Sequence, residues 1–392
     1  MKNIDNTKRT IMKNLHWPEH WQADVQRASA WETAQSMTFP ERKNEDWKWI
    51  NFEHLDLDTL NVEKTLITVL SRTNHGISVL RADSKENLLI KPDEDTYSAL
   101  NAALSEELCT IRIPKDGQEL DTIHVTVKFN ARNTVANTRA IIQLEKNAQA
   151  KVILELQTDS YNDLQALLNF QLEIRLDEGA RLELMEVQNL GEHVSYISRE
   201  YAHVHRDAHL NWTYVGLGSR VAKSFITVDL LGKGAETLMN GVYFSGSGQV
   251  IDLDTQQNHL AAQAHSDLLY KGAAIGNGKA IWEGMIYVDY IAQQTDSYQS
   301  NRNLILDQRA EIKTIPGLEI NANDVSCSHG ATVGRLNDDE LFYSQSRGIP
   351  VREAEKLILE GFFEDVLKKS GDEEMTNRLI EQIFEKYDRN HQ

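Results

Sequence analysis

The segments "NAQAKVIL" (147–154), "DEGARLEL" (177–184), "HRDAHLNW" (205–212), "GKGAETLM" (232–239), "GNGKAIWE" (276–283) and "DQRAEIKT" (307–314) share one grammar. A polar or glycine-containing turn leads into an alanine, then a charged or polar residue, then β-formers. The alanines are Ala150, Ala180, Ala208, Ala235, Ala280 and Ala310, separated by 30, 28, 27, 45 and 30 residues. Around them lie "TIHVTVKF" (122–129), "KVILELQT" (151–158), "FQLEIRL" (170–176), "RLELMEV" (181–187) and "IWEGMIYV" (281–288). Their alternation of apolar and polar residues is that of half-buried strands. A recurrent period built only of short strands and turns predicts a β-solenoid, with the small alanine where the chain turns a corner. A sandwich or jelly roll, whose strands recur every 8–12 residues or so, is the alternative on the period alone. A solenoid has two open ends, and their strand edges must be capped or paired with a partner.

The flanks differ in texture. Residues 1–115 are mixed and helical, 116–336 form the expected β core, and 337–392 return to helix. In "NDDELFYSQSRG" (337–348) Asn337 is a candidate N-cap with Glu340 three residues on, and Gly348 is a stop. Pro350 suits the first turn of the next helix. There Ala354, Ile358, Phe362 and Val366 form one stripe, and Leu359, Phe363 and Leu367 an adjoining one. Two apolar faces fit either a helix buried between neighbours or one that docks a partner protein.

The chain has 392 residues, and its 41 basic against 59 acidic residues leave a net charge of −18. Such a surface repels phosphate backbones and anionic lipid, so neither nucleic acid nor membrane is an expected partner. Cys109 and Cys327 are the only cysteines. No disulfide framework or four-cysteine cluster is available to this chain. No run approaches the roughly 20 apolar residues of a membrane span. The start, "MKNIDNTKRTIMKNLHWPEHW", lacks the apolar core of a secretory signal. A reducing cytoplasm is the expected compartment.

Several chemical signals fall away on inspection. "GSGQ", "GKGA" and "GNGK" do not complete a dinucleotide fingerprint. "AAIGNGKA" (273–280) lacks the first glycine and the Ser or Thr of a phosphate-binding loop. In "HVHRDAH" (203–209), His203 and His205 share one face of a strand as zinc ligands sometimes do. Ala202 and Val204 would then take the buried face and leave the histidines in solvent. "NDVSCSHGATVG" (323–334) remains. In an extended segment Cys327 and His329 lie on one face with about 6–7 Å between their Cα atoms. Thiolate and imidazole both suit ferrous iron. Two ligands are too few for a stable site, so the pair is either structural or half of a site shared with another chain.

"IPGLEINANDVSCSHGATVGRLNDDELFYSQSRGI" (315–349) closely resembles the SufB/SufD family of iron–sulfur cluster assembly scaffolds, and "PERKNEDWKW" (40–49) agrees with it. The resemblance covers essentially the whole chain. It implies a right-handed parallel β-helix flanked by helical N- and C-terminal regions. It also implies a non-catalytic scaffold subunit that pairs with its paralogue through the β-helix cores. The C-terminal helices would bind a SufC-type ABC ATPase, here through Ala354, Ile358, Leu359, Phe362, Phe363 and Val366.

SufB-type chains carry "HEAT" where this chain reads His329-Gly330-Ala331-Thr332, and a cysteine nine positions before that histidine, where this chain has Ile320. Both departures point to the SufD branch. His329, with Cys327 beside it, would then contribute iron or nascent-cluster ligands at the interface with a SufB-like partner. A cluster held stably by this chain alone is not expected. The resemblance leaves open a flavin in the complex and a homodimer of the isolated chain. The rival readings are a polysaccharide-active β-helix enzyme and a purely structural scaffold.

Overall fold

The computed structural model describes residues 24–50, 52, 55, 60–62, 65–70, 77–81, 88–105, 107–119, 121–158 and 164–391. The N-terminal stretch 1–21, read above for a secretory signal, lies outside them. The chain winds as a parallel β-solenoid of about eight turns. The first sheet stacks Glu107–Ile113, Thr134–Leu144, Ala166–Leu176, Val194–Val204, Val221–Leu230, Val250–His259, Lys279–Val288 and Glu311–Ile320. The second stacks Ile123–Phe129, Gln149–Thr158, Arg181–Asn189, His209–Gly216, Glu236–Ser245, His265–Ala274, Thr295–Ile305 and Val325–Arg335. Neighbours in both stacks are parallel. Among the described residues, antiparallel pairing enters only where Thr65–Leu70 and Ile77–Arg81 join the N-terminal end. Parallel pairing excludes the antiparallel sandwich.

The alanine series turns out to mix two corners. Gln149, Arg181, His209, Glu236 and His265 pair in register, which stacks Ala148, Ala180, Ala208, Ala235 and Ala264 just before them. Gln249, Gly278 and Ala310 stack at the opposite corner. Ala150 and Ala280, expected at corners, lie two positions further on, inside their strands. The irregular 45-residue step from Ala235 to Ala280 is thus roughly one and a half coils. The true corner alanines are buried because each closes a tight turn. Ala180 N donates to Asp177 O at 3.0 Å, and Ala208 N to His205 O at 3.1 Å.

In-register pairing also stacks side chains in columns through the lumen. One column runs Tyr214, Gly241, Tyr270 and its neighbour Gly216, Tyr243, Gly272. A Cβ on Gly241 would lie 2.4 Å from the Tyr270 ring, and one on Gly272 2.1 Å from that of Tyr243. Each ring fills the space left by a glycine one coil away, so large and small residues alternate in both directions.

The outer faces are covered separately. Helices α1 (Val25–Ser36) and α2 (Thr96–Leu104) belong to the covering of the first sheet. Asp24 and Asp95 cap them by accepting from Arg27 N and Ser98 N at 3.1 and 2.7 Å. Asn101 of α2 donates to Thr138 O and Asn169 O, and Trp47 stacks on Tyr97 above Phe225. After the solenoid come α3 (Asp338–Ser346), α4 (Val351–Leu367) and α5 (Glu373–Asn390). Asn337 caps α3 as expected, accepting from Asp339 N at 2.9 Å, and Pro350 is the N-cap of α4. Helices α4 and α5 cover the second sheet, packing on Met185, Val187, Val215, Val242 and Phe244.

Within the lumen Glu186 and Glu200 meet from opposite sheets, both fully buried and close enough to share a proton. Trp212 Nε1 donates to Glu186 Oε2 at 3.3 Å. Burial pushes both carboxyls up, Glu200 to about 7; the charge of Glu200 raises Glu186 further. The pair therefore holds a proton that the unfolded chain would release. For Glu200 the stabilising contribution is complete below about pH 4.5 and is lost as pH rises through about 7. Glu200→Gln replaces the shared proton with an amide donor. Urea unfolding should show the native chain losing stability from pH 5 to pH 8 and the variant losing less. The gap should open by about 1.4 kcal/mol per unit of upward pKa shift removed. Parallel pH profiles would contradict a shared proton.

Candidate functional site

Among the described residues the strands Glu311–Ile320 and Val325–Arg335 end their sheets, each paired on one side only. Neither contains a buried residue. The lumen consequently opens at this end into a mouth rimmed by backbone donors and acceptors.

Register places the candidate residues. Ser297, Gln299, Asn301 and Asn303 are buried, while the intervening Asp296, Tyr298 and Arg302 are exposed. Cys327, His329, Ala331 and Val333 pair with those four buried residues, so they continue the inward-facing columns at the mouth. On the opposite wall Thr314, Pro316, Leu318 and Ile320 stack on Trp282, Gly284, Ile286 and Val288. Cys327 packs with Leu318 and Val325 against Ile286, Val288, Ala292 and Ala322, whereas His329 is exposed.

One layer below, the lumen is polar. Gln299 Nε2 donates to Gly317 O at 3.0 Å, Asn303 Nδ2 to Thr332 O at 3.2 Å, and Asn301 Nδ2 to Tyr243 Oη at 3.0 Å. Gln299 and Asn303 tie the terminal coil to the one beneath it, Asn301 reaches down to a deeper coil, and together they give the mouth a hydrogen-bonding floor. Nothing in the sequence pattern marks them. A strand whose inward positions are Ser, Gln, Asn and Asn shows no apolar alternation to reveal its buried face.

The family model for the SufBD core domain of the SUF system for FeS cluster assembly matches residues 127–362, which span most of the solenoid and this mouth. The chain belongs to the SufBD family of iron–sulfur cluster assembly proteins. It is 27% identical over 381 residues to the iron–sulfur cluster assembly protein SufD of Escherichia coli, covering 88% of each chain. It is 28% identical over 296 residues to a SufBD family protein of Mycobacterium tuberculosis, covering 73% of this chain and 72% of that one. A Staphylococcus epidermidis member is 28% identical over 291 residues, or 73% of this chain and 62% of that protein.

Other candidates in this SufBD chain fare differently. Ala202 and Val204 are buried, as the strand reading required, and His203 is half-buried 3.6 Å from Asp229. His209 pairs with Glu236 on the adjacent strand at 2.7 Å. Among the described residues no group of three or more His, Cys, Asp or Glu side chains is arranged to hold a metal ion. The glycine-rich pieces are corner turns, with Gly234, Gly248 and Gly276 at φ of +71°, +78° and +64°. No helix among the described residues is long and apolar enough to cross a membrane.

Of the stripe on α4, Leu359, Phe363 and Val366 are buried against α5 and the second sheet, together with Leu367, and Ala354 is buried as well. In this arrangement they serve internal packing. Ile358 and Phe362 are half-buried. Exposed apolar surface lies instead at Phe342 and Tyr343 of α3 and at Val351 and Leu357 of α4. Two charged anchors hold the helices down. Lys271 Nζ donates to Phe362 O at 2.8 Å and pairs with Asp365 at 2.7 Å. Buried Lys386 donates to Leu217 O and Phe244 O, and burial lowers its pKa to about 7.

Burial, then the carboxylate of Asp296, raises the pKa of Cys327; the backbone N–H of Ser297 opposes them. Burial pushes Cys109 up to about 12. Thiolate is the reactive form. Under native conditions iodoacetamide should label Cys327 slowly, with a rate still climbing above pH 9, and should spare Cys109 until the chain unfolds. Mass spectrometry of the labelled peptides reads both; a Cys327 rate that levels off by pH 8 would contradict this account.

Proposed function

We propose that this chain is a SufD-type, non-catalytic scaffold subunit of a cytoplasmic complex with a SufB-like paralogue and a SufC-like ABC ATPase. The cluster under construction is its cargo. The observation carrying this reading is the placement of Cys327 and His329, both facing the lumen on a terminal strand whose outer edge has no partner among the described residues. An imidazole and a thiol suit ferrous iron, but two donors cannot hold it stably. The missing donors come from the chain that pairs with the mouth. Ile320, on the facing wall, can neither bind iron nor accept sulfur, so the sulfur-receiving thiol is the partner's.

Within the pair the roles divide by exposure. His329 presents its imidazole to the incoming partner, whereas Cys327 is tied into the last apolar cluster and keeps its proton. His329→Ala should leave the thermal stability of the isolated chain within about 0.5 kcal/mol, as expected for an exposed side chain. The assembled complex should still form on gel filtration. Its iron and acid-labile sulfide, measured after anaerobic reconstitution, should fall to background. Wild-type cluster content would overturn the ligand assignment.

The ATPase is proposed to dock on the outward faces of α3 and α4, where Phe342 is 73% and Leu357 52% exposed. The half-buried Ile358 and Phe362 form the edge of that surface. Leu357→Glu should release the ATPase in pull-downs while leaving the SufB-like partner bound. A variant that melts early yet still holds the ATPase would make this surface part of the fold instead.

A further inference from the structure

The corner turns leading from the first sheet to the second have polar tips along most of the solenoid: Lys146-Asn147, Glu178-Gly179, Arg206-Asp207 and Lys233-Gly234. The turn at residues 289–294 departs from this. Its tip is Tyr290 and Ile291, which are 69% and 64% exposed. The tip is held rigidly. Ile291 N donates to Asp289 Oδ1 at 3.0 Å, Tyr287 Oη to Asp289 Oδ2 at 3.3 Å, and Gln293 Nε2 to Tyr290 O at 2.7 Å. Ala292 is fully buried beneath it. Gln294 N donates to Asp324 O at 2.6 Å, which fixes this turn directly below the terminal one, roughly 5 Å from the mouth. Met285 adds exposed apolar surface on the adjoining strand, and the exposed carboxylates Glu319 and Asp324 flank the corner.

Two large apolar side chains on a preorganised turn lose little freedom when they are covered. We propose that Tyr290 and Ile291 form a knob that inserts into the solenoid subunit pairing with the mouth, a surface beyond the edge strands themselves. This rests on the mouth reading above. A chain that adds its own coil to strands Glu311–Ile320 and Val325–Arg335 must turn a corner beside this tip, so the knob is continuous with that interface. The complementary surface is an apolar socket with a lysine or arginine rim to meet Glu319 and Asp324.

The test is titration of the SufB-like partner against the full chain, the Tyr290→Ser/Ile291→Ser double variant and Val333→Asp at the mouth. Both tip positions are exposed, so the double variant should melt with the wild type. Its Kd should rise at least tenfold, and added salt should weaken wild-type binding. Wild-type affinity of the double variant alongside failure of Val333→Asp would overturn the knob and leave the mouth reading standing. Wild-type affinity of both variants would overturn the two together. If the isolated chain dimerises and the double variant abolishes only that dimer, the occupant is a second copy and the proposal fails.

Discussion

In-register parallel stacking is the constraint on which the rest of this molecule depends. Each coil repeats the pleat of the one below, so a lumen position at the bottom of the stack specifies the neighbours of every position above it. The columns change character upward: leucines near the N-terminal end, tyrosine and glycine in the middle, then serine, glutamine and asparagine, and finally Cys327 and His329. The residues at the mouth inherit their direction from this stacking. Nothing local in "SCSHGAT" makes Cys327 and His329 point inward; the burial of Ser297 and Gln299 beneath them does. Parallel stacking also cannot terminate itself, because its last strands always have an unused edge.

Much of the fold was legible because strand alternation and corner turns are local features. The corner alanines were legible in kind but not in register. Ala150 and Ala148 stand two residues apart on either side of Gln149, and turn chemistry alone does not tell which closes the corner. The pairing of Gln149 with Arg181 decides it. The Glu186–Glu200 pair was not legible, since acidic residues in alternating strands ordinarily face solvent and only the facing sheet reveals that both point inward. The motif "CSHGAT" was legible as a chemical signal. Its amide floor and the exposed tip at Tyr290 were not, because both are defined by contacts between coils about thirty residues apart.

The α4 helix shows how two readings can share one stripe. Its spacing predicted apolar faces correctly, but which face meets which neighbour depends on the sheet beneath. Leu359, Phe363 and Val366 meet the second sheet, and the outward surface passes to Leu357 and to α3. Lys271 and Lys386 reinforce this seating by donating to backbone carbonyls, Lys271 from the second sheet to Phe362 of α4 and Lys386 from α5 to Leu217 and Phe244.

The alternation of tyrosine and glycine in the lumen has a consequence for how such a sequence can vary. Gly272 owes its size to Tyr243 and Gly241 owes its size to Tyr270, so each residue is constrained by one a full coil away rather than by its neighbours in the chain. A bulkier residue at Gly272 is compatible with this packing only where the ring at 243 shrinks as well, and effects at the two sites will not add. Change in this lumen therefore proceeds by matched pairs spaced one coil apart, and a drifting sequence can preserve its repeat long after the individual residues have become unrecognisable.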